Sequence, residues 1–448
     1  MQAFHAYDIR GIYNKDFDKD DAYKIGFFLP KLLKSNKILV GRDVRISSPE
    51  IYDSLSQGII DAGADVYNAG LTTTPMIYFL TAKFEFDASV MITASHNGKE
   101  YNGMKISRSN ALPVGYANGL DELEKMIKSE IKISENKGQE IEFDKHQSYK
   151  EFLKGYYSDK LEKLKITIDI SNGMAGLFVK DLMGKNPNYL FEELDGSFPN
   201  HEANPLDPKN IVDLQKAVII DKSDIGVIFD GDADRVMFVD EKGNFISPDL
   251  MIAVLGHYFL NKEGQKAKVL QDIRTSKAVK EYLMKLGNIE MHTWKVGRAF
   301  AAIKLRELDG LWGGELAGHY YFKDFYYSDS GILAMLLILD VIADFKEKGI
   351  SVSKLINSIK GYANSGEINF KIEQKKEAME AVRKYFSEFD SPSNFLDFDG
   401  YRLEFENWWF NIRPSNTEPY LRLIVEARTE SILNEHLTMI KKIISQFH

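Results

Sequence analysis

The chain is predicted to be an α/β protein of several domains, on three observations. Its 448 residues exceed what one hydrophobic core ordinarily organises, which points to three or four domains. Four apolar, β-branched runs each end on a charged turn: ILVGRD (38–43), ITIDIS (166–171), VIFDGD (227–232) and VLQDIR (269–274). Helical periodicity lies between and beyond them, as in KAVKEYLMKL (277–286) and SILNEHLTMIKKII (431–444). Strands alternating with helices build α/β units whose functional loops sit at the strand ends. The broad spacing of the four runs suits duplicated domains better than one large sheet, which the length disfavours.

Composition narrows the class. Hydrophobic residues at 44% and charged residues at 27% fit a soluble globular chain. A net charge of −9 argues against nucleic acid or an anionic membrane as partner, so an anionic small substrate would need local clusters of Arg and Lys. The absence of cysteine excludes disulfides, thiolate metal sites and a cysteine nucleophile. The start MQAFHAYDIRG lacks the basic and apolar regions of a signal peptide. The apolar run ILAMLLILDVIA (332–343) is too short to span a bilayer, contains Asp340, and is expected as a buried helix. The expected location is cytoplasmic. Candidate joints are 135–150, 244–249 and 361–367; none is a long Pro- or Gly-rich linker, so closely packed domains are expected.

Four polar stretches carry chemistry. The run VIFD leads into GDADR (231–235), where Asp230, Asp232 and Asp234 alternate with small residues. Carboxylates about 5 Å apart repel by about 3 kcal/mol per pair at an effective dielectric near 20, a cost that a divalent cation removes. All-oxygen ligands favour a hard ion such as magnesium. The spacing partly imitates a calcium loop, with Glu241 at the twelfth position, but Arg235 stands where that loop needs glycine. Next, RPSNTEPYLRL (413–423) offers Arg413, Ser415, Asn416, Thr417 and Arg422 as donors for a phosphate, or a capped turn with two surface arginines. In LWGGELAGHYYF (311–322), Glu315 and His319 fall in a glycine-rich turn suited to a hydroxyl-rich ligand, or simply in a tight turn. Finally, TASHNGKEYNGMKIS (93–107) contains Ser95 and His96 without a G-x-S-x-G elbow, so hydrolase chemistry is not indicated. Taken alone it is a hairpin that turns at Asn97-Gly98 and Asn102-Gly103.

Together, and in this order, the serine, metal, sugar and phosphate stretches resemble those of the α-D-phosphohexomutases. AYDIRG (6–11), GRDVRISSP (41–49) and TTTPMIYF (72–79) fit the same family, so the resemblance spans nearly the whole chain. It implies four domains in a heart-shaped arrangement around a cleft: 1–146 with the serine loop, 147–249 with the metal loop, 250–364 with the sugar loop and 365–448 with the phosphate loop. The first three would be related α/β domains with mixed sheets, and the last an α+β domain like the TATA-binding protein. The implied reaction moves phosphate between O1 and O6 of a hexose through a phosphoserine at Ser95 and a 1,6-bisphosphosugar.

The resemblance also implies roles. Asp230, Asp232 and Asp234, with an oxygen of phosphorylated Ser95, would hold one magnesium ion. Glucose 1,6-bisphosphate or an equivalent would serve as activator and intermediate. Lys105 and Arg10 would assist proton transfer or stabilise charge, with Arg10 electrostatic first because an arginine base is unusual. His96 would organise the serine loop. Tyr7, Arg235, Arg274, Arg298, Glu315 and His319 would contact substrate, and Arg413, Ser415, Asn416, Thr417 and Arg422 would grip the phosphate that is not reacting. Glu315 accepting from sugar O3 and O4 would be indifferent to the C2 epimer, which favours both mannose and glucose phosphates. Two departures bear on sugar contacts: Ala317 replaces the usual serine of G-E-x-S-G-H, and Arg298 stands where relatives commonly have histidine. The partner is therefore a phosphosugar, with no nucleic acid or membrane, and the assembly a monomer or homodimer. The alternatives are a phosphoglucosamine mutase, a non-catalytic sugar-phosphate binding protein, and a phosphatase using Asp230 as nucleophile.

Overall fold

The apolar runs that end on charged turns become interior strands of three mixed sheets, where both faces are covered and a β-branched run needs no alternation. The computed structural model describes residues 2–260, 266–389, 391–415 and 419–447. In the first sheet, Lys37–Arg42 lies between Ala88–Ile92 and Asp65–Leu71 and is parallel to both. Tyr101–Arg108 returns antiparallel to Ala88–Ile92, and Ile9–Ile12 closes that side. In the second sheet, Ile166–Asp169 pairs parallel with Ile225–Phe229, which then pairs antiparallel with Val236–Asp240. The third repeats the plan: Ala267–Asp272 is parallel to Ile289–Trp294 and Trp312–Gly314, and Tyr320–Phe322 returns antiparallel.

The last sheet is different. Its six strands are all antiparallel, and the helices Lys375–Phe389 and Glu430–Ile444 pack on it through Val382, Phe386, Leu433 and Ile440. That is the α+β arrangement expected for the C-terminal region.

A continuous apolar cluster joins the first three sheets through Phe79, Tyr149, Phe178 and Phe325. The helix Gly331–Glu347 runs through it, buried from Gly331 to Leu339, as the run at 332–343 led us to expect. Among the described residues, no helix is long and apolar enough to cross a membrane. The stretches expected as joints each contain a short strand: Glu140–Glu142, Phe245–Ile246 and Ala363–Asn364. At the C-terminal ends of the interior strands sit Asp43, Thr93, Asp230, Arg274 and Glu315, so one side of each of the first three sheets supplies polar groups.

One expected turn is not a turn. Asn102-Gly103 lies inside the strand Tyr101–Arg108, where the Asn102 amide donates to Ser47 and Ser48. A Cβ on Gly103 would meet the Ile9 carbonyl at 2.1 Å, so this glycine serves close strand approach.

Candidate active site

The serine loop starts where the fully buried strand Ala88–Ile92 ends. The Ser95 amide donates to Thr93 Oγ1 at 2.9 Å, and the Ser95 backbone turns to φ 53°, a left-handed conformation that disfavours a side chain. What holds it there is Arg45, which is wholly buried. Its guanidinium donates to the carbonyls of Ser95, Asn97, Gly98 and Tyr101 at 2.6–3.0 Å, while Nε pairs with Asp43 at 3.1 Å. A planar fork with five donors can gather four carbonyls in this way, and a lysine cannot. Strain persists where surroundings over-determine it, typically at functional loops.

The metal loop meets the serine loop head-on. Ser95 Oγ donates to Asp230 Oδ2 at 2.9 Å, and His96 Nδ1, 3.3 Å from Ser95 Oγ, is placed to donate to that hydroxyl oxygen. Gly231 permits this closeness, since a Cβ there would stand 2.5 Å from the Ser95 carbonyl oxygen. Asp230, Asp232 and Asp234 are all buried, with ligand oxygens within 4.8 Å of one another. Lys105 Nζ reaches Asp232 and Asp234 at 2.6 and 2.5 Å, and Thr74 donates to Asp232. Even so, Asp232 Oδ1 and Asp234 Oδ1 are buried without a hydrogen-bond partner. Two orphaned carboxylate oxygens in an all-oxygen cluster fit a hard divalent cation. Glu241 is turned elsewhere, accepting from Ser353 N and Oγ, so the calcium-loop pattern finds no support in its twelfth residue. A second cluster, Asp234, His319 and Asp329, also lies within ligand reach; there His319 is bonded to Asp329 and accepts from Arg235, and Asp329 Oδ1 lies 3.3 Å from Arg298 Nε.

Charge in this region follows from burial and neighbours. Burial, with Asp234 and Asp232 nearby, pushes the Asp230 carboxyl well above the usual range. Burial opposes charge on Asp234 as well, yet the Lys105 ammonium outweighs it and holds its carboxyl below that range. Lys105 is likewise buried, but Asp232 and Asp234 raise its ammonium above the ordinary lysine value. Burial followed by the nearby cations Arg235, Arg10 and Lys105 holds His96 well below the ordinary histidine value, so its ring is neutral near pH 7.

The sugar loop joins through Arg235, whose Nε donates to His319 Nε2 at 3.0 Å. That leaves His319 Nδ1 to carry the hydrogen shared with Asp329 at 2.6 Å. Buried Glu315 accepts from Tyr321 Oη at 2.7 Å and from the Gly297 amide at 3.1 Å. Arg298 stacks 3.5 Å over the Tyr78 ring, approaches Asp329 at 3.3 Å and donates to the Ala111 carbonyl. Tyr7 donates to the Val296 carbonyl, and Arg10 reaches Asp8 and Asn97. Arg274 is paired with Asp272 at 2.7 Å, and Arg413 with Asp399 at 3.0 Å.

These groups surround one cleft of about 1540 Å³. Tyr7, Arg10, His96, Lys105, Asp234, Arg235, Arg274, Arg298, Glu315, His319, Arg413, Ser415 and Arg422 line it, while Ser95, Asp230 and Asp232 lie beneath its floor. Asn416 and Thr417, expected in the phosphate loop, lie outside the described residues. Arg45, Thr74, Tyr321, Asp329 and Asp399 join the site without a local sequence motif that assigns them there. One sequence signal was there: Asp8-Ile9-Arg10, Asp43-Val44-Arg45 and Asp272-Ile273-Arg274 repeat D-x-R, and each aspartate pairs with its own arginine.

A buried serine against an acidic cluster, beneath a cleft with an arginine rim, is the architecture of an enzyme that handles phosphorylated small molecules. Family models described as Phosphoglucomutase/phosphomannomutase, alpha/beta/alpha domains I, II and III, match residues 1–134, 147–243 and 247–362, and the C-terminal domain model matches 367–443. The chain is 37% identical to a phosphomannomutase of Vibrio cholerae, over 100% of this chain and 99% of that one. It is 36% identical to a phosphomannomutase of Methanocaldococcus jannaschii, over 100% and 98%. A solved phosphoglucomutase/phosphomannomutase family protein of Burkholderia thailandensis superposes with a TM-score of 0.88 at 27% identity, covering 99% of this chain and 97% of that one. The chain belongs to the phosphoglucomutase/phosphomannomutase family.

Proposed function

We propose that this protein is a reversible phosphosugar mutase that interconverts hexose 1-phosphates and hexose 6-phosphates of mannose, glucose or both, through phosphorylated Ser95. The observation that carries the reading is the Ser95 hydroxyl held 2.9 Å from Asp230, beneath a cleft with basic groups along its rim. In the first half-reaction the phosphorus–Ser95 Oγ bond breaks as a bond forms from phosphorus to the free sugar hydroxyl oxygen, and the proton of that hydroxyl ends on Ser95 Oγ, which leaves as the serine hydroxyl. The 1,6-bisphosphosugar then turns over in the cleft, and its other phosphate returns to Ser95 Oγ. Phosphoryl transfer needs positioning and charge neutralisation more than covalent help.

Asp230, Asp232 and Asp234, joined by an oxygen of phosphorylated Ser95, would hold magnesium, which when bound supplies positive charge beside the transferring group. Lys105 and Arg10 neutralise the equatorial oxygens; with Asp232 and Asp234 holding Lys105 protonated, it acts first as a donor. Arg235 faces the sugar or the moving phosphate. Glu315, aimed by Tyr321 and Gly297, accepts from the sugar hydroxyls, and His319 supports it. Arg274, Arg413, Ser415, Asn416, Thr417 and Arg422 hold the distal phosphate, with Tyr7 and Arg298 shaping the wall. The domain bounds that follow are 1–146, 147–249, 250–364 and 365–448. A bisphosphosugar such as glucose 1,6-bisphosphate would prime the enzyme, which is assigned to the cytoplasm.

Intact mass after incubation with glucose 1,6-bisphosphate tests the reading. A species about 80 Da heavier is expected, absent from Ser95→Ala; an unmodified protein would favour a binding protein. Phosphate release surviving in Ser95→Ala would favour a phosphatase. Assays on mannose, glucose and glucosamine 1-phosphates decide the sugar. Leu316-Ala317 does not match the Gln-Ser of phosphoglucosamine mutases, so exclusive turnover of the glucosamine compound would overturn that choice.

A further inference from the structure

Glu367 stands in the cleft between two arginines that the proposed function assigns to phosphate. It is the residue before the strand Ile368–Phe370, which pairs with Leu421–Ala427 so that Asn369 faces Arg422. The register thus delivers Glu367 beside Arg422, with its Oε1 3.1 Å from Arg422 Nη1. The other oxygen, Oε2, is 3.6 Å from Arg274 Nη1. Arg274 is clamped on its far side by Asp272 through Nε and Nη2, so Nη1 is the end that it turns toward Glu367. All three residues line the cleft, and Glu367 keeps 24% of its side chain exposed. One monoanion with two oxygens therefore spans cations from two different sheets, an arrangement that a phosphate monoester, with more charge and three oxygens, could replace.

We infer that Glu367 is an internal stand-in for the substrate's distal phosphate, a positioning residue that keeps Arg274 and Arg422 facing one point and yields to the incoming phosphate. The inference rests on the mutase reading of the phosphate loop. Its consequence is kinetic. An intermediate that must leave this grip, reverse and bind again is better served by a site with a built-in competitor than by one that binds either phosphate without opposition, because ground-state binding that is too tight adds nothing to the chemical step. A carboxylate that merely stapled the third sheet to the fourth would instead support binding, and its loss would loosen the cleft.

The test is Glu367→Gln, which keeps the side chain's shape and removes its charge. Calorimetric titration with mannose 1-phosphate, in a Ser95→Ala background that prevents turnover, is expected to show about fivefold tighter binding, the effect of losing one competing ion pair. In the otherwise native enzyme, KM is expected to fall by a similar factor while kcat stays level or falls. Arg422→Ala separates the two levels of inference. If it loses at least tenfold in affinity while Glu367→Gln binds no tighter than its parent, Glu367 is a staple and the stand-in role is overturned. If Arg422→Ala binds as its parent does, the phosphate-site reading fails first.

Discussion

Gly231→Ala places one methyl group where the structure has no room for it. The added Cβ would lie 2.5 Å from the Ser95 carbonyl oxygen, whereas ordinary contact begins at 3.4 Å, so the two loops must part by nearly an ångström. Neither side yields easily, because Arg45 holds that same carbonyl at 2.9 Å and the strand Ile225–Phe229 anchors the other. The 2.9 Å contact between Ser95 Oγ and Asp230 is the one that stretches. A displacement of about 1 Å at a reacting group costs about 100-fold in rate. We expect kcat to fall about 100-fold and the affinity for magnesium or manganese, measured calorimetrically on the phosphorylated protein, to fall as well. Thermal unfolding should move by only a few degrees, since the change lies at a loop contact and outside the apolar clusters. A Gly231→Ala enzyme with native kcat and native metal affinity would refute the claim that the approach of these two loops sets the site.

Two further outcomes follow from buried charge. Arg45→Met leaves four carbonyls and Asp43 without their cation; breaking a buried pair in this way costs about 3–5 kcal/mol. Hydrogen exchange across 93–107 should accelerate while the C-terminal sheet stays protected, and unchanged exchange would count against Arg45 as the organiser. The Glu426 carboxyl is pushed up to about 7 by burial and by Asp249. It accepts from Ser276, Trp409 and Asn364, where the third and fourth sheets' regions meet. Unfolded, it would ionise near 4.5, so between there and about 7 the folded state binds the extra proton and stability falls as pH rises. The penalty above that window is about 3 kcal/mol. Glu426→Gln should remove it, raising Tm at pH 8 relative to the native protein but not at pH 4.5; equal curves at both would refute the shift.

Much of this was legible in the residues alone. Apolar runs ending on charged turns marked interior strands, since a strand buried on both faces must be apolar throughout and its polar end must leave the sheet. The acidic alternation of Asp230, Asp232 and Asp234 announced a cation site, because unneutralised carboxylates at that spacing repel. Other features were beyond local pattern. Asn102-Gly103 has the composition of a turn and lies in a strand, since close approach to Ile9 and hydrogen bonds to Ser47 and Ser48 outweigh turn preference. Arg45 stands fifty positions from Ser95, and no periodicity could say that it gathers the carbonyls of that loop. Arg298 reads as a ligand group in sequence and lines the cleft, but its contacts with Tyr78, Asp329 and Ala111 come from three separate parts of the chain. Residue type and short spacing suffice to mark the groups that could hold phosphate and metal, because that chemistry is local. Which charges are already paired emerges with the fold: Glu367 between Arg274 and Arg422, Asp399 on Arg413, and Lys105 on Asp232 and Asp234. Such pairing depends on distances between separate sheets, which no single stretch of the chain contains.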